Sequence, residues 1–215
     1  MAAIFTLFRL IAISEYQRGK CRSMYIFGYG SLINHASRLL TGQAKEAQPA
    51  TVHGLQRHWG KVDSAYHISP LVAALGDGVC NGVLVRVDEN ALRQFDHRER
   101  GYRRIELDPT QLETHQPIAL DIPVWVYTKD NHEPPCHIQP IMQTYVDTVL
   151  AGCLSISSSF AKTFVETTLG WHHPLENDRH QPKYGNHAGV DDDHLAHIDQ
   201  LLAQVRTKYS HGKTQ

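Results

Sequence analysis

The chain has 215 residues, 41% of them hydrophobic, enough to bury the core of one large domain. A formal net charge of -1 with no block of like charges excludes an electrostatic footprint for nucleic acid or an anionic membrane. The four cysteines, Cys21, Cys80, Cys136 and Cys153, are widely spaced without a Cys-x-x-Cys pair, so a reduced, cytoplasmic chain is expected.

No apolar run reaches the ~18 residues of a membrane-spanning helix. Residues 1–23 begin with an apolar stretch interrupted by Arg9 and lack a charged leader, which makes a poor secretory signal. They read as an N-terminal extension, disordered or produced by an upstream start, with a helix docked on the domain as the rival reading. One domain is expected over 24–207 and a polar tail over 208–215.

Residues 24–27 read as a short buried strand ending at glycines, and 34–40 as a short helix with Asn34 as its N-cap. Strands are predicted at 49–59, 71–75 and 79–87, the last from the alternation of Val83, Val85 and Val87. Asp88 is placed to cap a helix carrying Leu92 and Phe95, and further strands follow at 102–107 and 123–128. Beyond residue 138 the period becomes helical. Pro140 occupies a natural first helical position, and Ile141, Tyr145, Thr148, Val149 and Gly152 follow at spacings of three and four. A second helix is predicted over 158–169, closed by Gly170. Residues 171–189, rich in His, Pro, Asn and Gly, read as a long surface loop. Asp191 then caps a last helix with Leu195, Ile198, Leu202 and Val205 on its apolar stripe, and the chain frays from Lys208. Strands first and helices afterwards indicate an α+β domain.

Two motifs carry chemistry. In Phe27-Gly28-Tyr29-Gly30-Ser31-Leu32, paired glycines let the backbone turn sharply after a strand and approach a ligand closely. Successive N–H groups in such a turn can hold an anion, although an ordinary tight turn has the same pattern. The dinucleotide fingerprint and the Walker loop are both absent. In Asp96-His97-Arg98-Glu99-Arg100-Gly101-Tyr102, an acid flanked by arginines is either a solvated salt-bridge partner or a partly buried acid/base.

In this order the two motifs resemble those of the γ-glutamylcyclotransferase superfamily. That group carries a Tyr-Gly-Ser loop, here Tyr29-Gly30-Ser31, and a catalytic glutamate ending an Asp-x-x-Glu element, here Asp96 to Glu99. Val124-Trp125-Val126-Tyr127 is similar to a family strand ending in an aromatic residue, and the run from Tyr145 to Cys153 resembles the helix after the barrel in bacterial members. The resemblance covers residues 24–170; the His-rich loop and last helix have no placed counterpart. It implies a small mixed β-barrel with flanking and C-terminal helices. It also implies release of 5-oxoproline from a γ-glutamyl amino acid, amine or peptide, with Glu99 as acid/base and Phe27, Gly28, Tyr29, Gly30, Ser31 and Leu32 binding substrate. Tyr102 and Tyr127 are assigned to the same pocket as substrate-binding residues, with ordinary core tyrosines of strands as the alternative. The loop donors serve either the oxyanion or the substrate carboxylate.

The implied reaction needs no metal or other cofactor, and its partner is a small γ-glutamyl molecule bound by a monomer or homodimer. A non-catalytic binding module and removal of a γ-glutamyl protecting group from a biosynthetic intermediate are the alternatives. The fifteen histidines show no zinc spacing and read as solvated, and Cys80, Cys136 and Cys153 read as buried small hydrophobes.

Overall fold

The computed structural model describes residues 23–42, 46–63, 67–119 and 121–211. The expectations for residues 1–22 and for Cys21 lie outside these residues.

β1 (Met24–Gly28) is the strand predicted before the glycine loop. A single 3-10 turn, Ser31–Ile33, leads into α1 (His35–Leu40), capped as expected by the Asn34 side chain, which accepts the Ser37 N–H at 3.1 Å. β2 (Ala47–Trp59) and β3 (Leu71–Val87) form a long antiparallel hairpin. The separate strands expected at 71–75 and 79–87 are therefore one element. Its register shifts where Gly54, at φ +82°, faces residues 76–78. The Gly76-Asp77-Gly78 segment that reads as a break in sequence is a bulge within a continuous ladder.

Asp88 caps α2 (Glu89–Arg98) by accepting the Ala91 N–H at 2.9 Å. β4 (Arg103–Glu106), β5 (Leu112–Thr114) and β6 (Val124–Thr128) follow. With β8 (Thr168–Leu169), seven strands make one mixed sheet in the order β4-β6-β1-β3-β2-β5, and β8 pairs with β2 in parallel. β1 is central, antiparallel to β3 and parallel to β6. Among the described residues β8 branches from this order at β2, and the class is α+β, as expected.

The helical half departs from expectation at its boundaries. Pro140 precedes β7 (Ile141–Met142), and α3 (Gln143–Ile156) starts after it, because the backbone first pairs with β9 (Leu175–Glu176). α3 is buried on almost every side, so its apolar stripe extends around the helix. α4 (Ser158–Thr167) ends before residues 168–169, which extend the sheet. α5 (Asp192–His211) buries Ile198, Leu201, Leu202 and Val205, leaves Leu195 half-buried and continues past Lys208.

The 171–189 segment is not a loose surface loop. Trp171 is buried and donates to the Val165 carbonyl at 3.0 Å. Asp178 supplies the cap that α3 lacks at Met142, accepting the Thr144 N–H at 2.9 Å and the Thr144 hydroxyl at 2.6 Å. Arg179 bridges Asp147 on α3, at 2.7 and 2.8 Å, to Asp199 on α5. A stretch that reads as polar and irregular is therefore held by three specific anchors.

Cys80 and Cys153 are fully buried, whereas Cys136 is only half-buried; these three are free thiols. α3 packs tightly on the 30–34 turn at Gly152, where an added Cβ would lie 2.6 Å from the Asn34 N and Cα. Gly152→Ala is therefore expected to destabilise the protein by ~1–3 kcal/mol through overpacking, although alanine is the better helix former. The measurement is the urea midpoint; a gain in stability would contradict this packing.

Candidate active site

β1 delivers the chain to Gly28, which pairs with Val83 on β3. The next residues fold back on themselves: the Ile33 N–H donates to the Gly30 carbonyl at 2.9 Å and the Asn34 N–H to the Ser31 carbonyl at 3.1 Å. A Cβ on Gly28 would lie 2.5 Å from the Leu32 Cβ, so this turn requires its glycine.

Glu99 is brought to the same place by α2. It sits at the C-cap, where its N–H donates to the Phe95 carbonyl at 2.8 Å, and the Tyr102 N–H closes the turn onto the Glu99 carbonyl at 2.9 Å. The Glu99 side chain is 23% exposed and accepts from Arg98 Nε at 2.8 Å. Arg98 lies over the Phe95 ring, 4.5 Å from its centroid, while Arg100 is exposed. Of the two readings of this acid, salt-bridge partner and pocket residue, the geometry shows both at once.

A cavity of about 220 Å³ joins these elements. Phe27, Gly28, Tyr29, Gly30, Ser31, Leu32, Glu99, Tyr102 and Tyr127, every residue singled out from the sequence, line it. Its other walls include Ile68, Pro70 and Leu71 before and on β3, Tyr145 on α3, and Tyr184 and Asn186 from the 171–189 segment. Among the described lining residues, Arg98 and Glu99 are the charged side chains. The volume suits a small molecule, bounded by apolar and aromatic surface with few polar groups.

The tyrosines differ in what they can offer. Tyr127 donates to Asp96 at 2.8 Å, and Asp96 is held in turn by Arg104 at 2.6 and 2.7 Å. Tyr102 donates to the Leu71 carbonyl at 3.3 Å and Tyr29 to the Tyr127 carbonyl at 2.8 Å. Each of these three phenols already directs its one proton within the protein, so in this arrangement they shape the wall and accept hydrogen bonds. Burial, then the nearby Glu99 and Tyr145, pushes the Tyr29 phenol well above its ordinary pKa.

Tyr145 was legible only as part of a helix stripe. It is buried in the cavity wall, 4.6 Å from the Tyr184 ring, and a Cβ on Gly30 would lie 2.9 Å from its hydroxyl. Burial raises its pKa first, then Tyr184 and Glu99; the Leu71 and Ser31 backbones act in the opposite direction. Nothing in a period of three and four distinguishes a wall tyrosine from a core tyrosine. Tyr184 and Asn186 were hidden because their segment carries no regular period. Among the described residues no cluster of three or more His, Cys, Asp or Glu is placed to hold a metal, and no helix is long and apolar enough to cross a membrane.

Solved structures share this fold. A gamma-glutamyl cyclotransferase aligns with 83% of this chain and 99% of its own at 16% identity and a TM-score of 0.55. The uncharacterized protein loc79017 from Homo sapiens aligns over the same shares at 17% identity and a TM-score of 0.53. YkqA from Bacillus subtilis matches 67% of this chain and 53% of its own, at 20% identity and a TM-score of 0.51. No curated protein matches the chain significantly. The model of the family described as gamma-glutamyl cyclotransferase, AIG2-like, matches residues 26–145, more than half of the sequence, from the middle of β1 to the first turn of α3. The chain belongs to that family.

Proposed function

We propose that the protein is a γ-glutamylcyclotransferase that releases 5-oxoproline from a small γ-glutamyl amino acid, amine or peptide, with Glu99 as its acid/base. The observation that carries this reading is the convergence of Glu99 and the 28–32 turn on one small cavity, although they are far apart in sequence.

The substrate arrives with its α-amine protonated. Glu99 takes one proton, and the free amine attacks the γ-carbonyl carbon of the same molecule. A C–N bond forms and closes a five-membered ring, leaving a tetrahedral oxyanion. Glu99 gives that proton to the departing nitrogen and the original amide C–N bond breaks. Glu99 then takes the second proton from the new ring nitrogen and passes it to the departing amine, so that 5-oxoproline and an ammonium leave and the carboxylate is restored. Both reacting groups belong to one molecule, so the protein chiefly holds a reactive rotamer. N–H groups of the glycine turn offer stabilisation to negative charge on the substrate. A solvated carboxylate could not select this rotamer; one in a walled cavity can.

The test is 5-oxoproline release from γ-glutamyl-alanine, γ-glutamyl-ε-lysine, glutathione and a γ-glutamylated polyamine. Release from one of them, lost on changing Glu99, is the expected result. Silence across the panel, together with binding of a γ-glutamyl ligand, would replace the enzyme with a binding module or with a deprotecting activity on a larger γ-glutamyl intermediate.

A further inference from the structure

Arg57 on β2 is fully buried, and among the described residues every acceptor it reaches is neutral. It donates to Thr168 Oγ1 at 2.7 Å, to the Asn81 carbonyl at 2.6 Å and side chain at 3.0 Å, and to the Phe164 carbonyl at 3.0 Å. Its guanidinium lies 3.5 Å from the centroid of the Phe164 ring. Burying a cation without a carboxylate costs several kcal/mol, and an apolar residue of similar volume is often at least as stable. Arginine stays ionised nonetheless. The mechanism above gives this charge no task.

Beside weaker contacts to Thr167 Oγ1 at 3.2 Å and Cys80 Sγ at 3.5 Å, one further contact supplies a task. Arg57 also donates to the Tyr29 carbonyl at 3.4 Å. The peptide from Tyr29 to Gly30 is trans, since the described residues contain no cis bond, so the Gly30 N–H points away from the guanidinium. Gly30 lines the cavity, and its N–H has no acceptor among the described residues. The one cationic side chain in the described lining, Arg98, is already paired with Glu99.

We propose that Arg57 is a positioning residue that makes the glycine turn a receptor for a carboxylate anion. It holds the Tyr29 carbonyl back, presents the Gly30 N–H to the ligand, and supplies from beneath the positive charge that the ligand's carboxylate answers. The inference rests on the γ-glutamyl reading, because that substrate and its lactam product carry such a carboxylate.

The experiment compares two lactams differing only in that group, 5-oxoproline and 2-pyrrolidinone, by titration calorimetry on the full chain. The wild type is expected to bind 5-oxoproline at least ~10-fold more tightly, and to keep that ratio in ~1 M salt, because a buried charge is poorly screened. Arg57→Gln should bring the ratio to about 1, whereas Arg57→Lys should retain most of it. A purely structural role would weaken both ligands together and leave the ratio unchanged, which would overturn the proposal. Arg57→Met substitutes for the glutamine variant if the latter fails to fold. Loss of the wild-type ratio in salt would overturn the proposal without any variant. If the wild type binds neither lactam, the γ-glutamyl reading falls and this inference with it; if 5-oxoproline binds and the ratio ignores Arg57, only the inference falls.

Discussion

Glu99→Gln is expected to lower kcat/KM by ~10²–10⁴ while leaving the fold intact. The amide has nearly the shape of the carboxylate and can keep a place beside Arg98, but it cannot take a proton from an ammonium and return it to a leaving nitrogen. The Arg98–Glu99 pair is partly solvated, so its loss should change stability by no more than ~1 kcal/mol. Far-ultraviolet circular dichroism and the urea midpoint should therefore be those of the wild type. An Arg98→Met control removes the ion pair and keeps the carboxylate. If that control loses as much activity as Glu99→Gln, the important group is the pair rather than the proton carrier. Full turnover by Glu99→Gln would remove Glu99 from the mechanism.

Arg179→Ala carries the largest stability effect expected. Asp147 is 1% exposed, and beyond Arg179 its side-chain partner among the described residues is the Gln143 amide, at 2.8 Å. Removing the guanidinium leaves a buried carboxylate without its counter-charge, at a cost of ~3–5 kcal/mol. The same change frees the 171–189 segment from Asp199 on α5. Because that segment contributes Tyr184 and Asn186 to the cavity, KM for the identified substrate should rise. Asp147→Leu combined with Arg179→Met should cost clearly less than the two single changes together, since it removes the buried carboxylate along with its partner. A urea midpoint unchanged in Arg179→Ala would mean that the bridge contributes nothing measurable.

The sequence was most legible where chemistry and backbone geometry coincide. Asn34 and Asp88 announce the helices that they cap, because a short acceptor before a helical period serves the first free N–H groups. The glycine turn and Glu99 are singled out by the resemblance of the two motifs taken together, because each pattern alone equally fits an ordinary tight turn or a solvated salt-bridge partner. The break between 75 and 79 was misread because glycine weakens a strand pattern whether it ends the strand or bulges it, and only the partner strand decides. Residues 171–189 failed more completely. Their order comes from Asp178 capping another helix and Arg179 bridging two others, contacts without local periodicity. Tyr184 and Asn186 were missed for that reason, Tyr145 because a helical stripe does not separate a wall tyrosine from a core one, and Arg57 because its residue type predicts a solvated surface.

The central position of β1 has a consequence for how the chain becomes a protein. Tyr25 pairs with Arg86 on one side and with Val124 on the other, so the first strand of the domain waits for partners made long after it. Contacts of such sequence separation slow folding. During synthesis, β1 and the glycine turn leave the ribosome well before Glu99, and the cavity still lacks Tyr145 and Tyr184 when Glu99 has emerged. A nascent chain therefore carries the turn without the site. Ligand binding can stabilise only the finished molecule, so it acts on the last step of assembly rather than guiding the earlier ones.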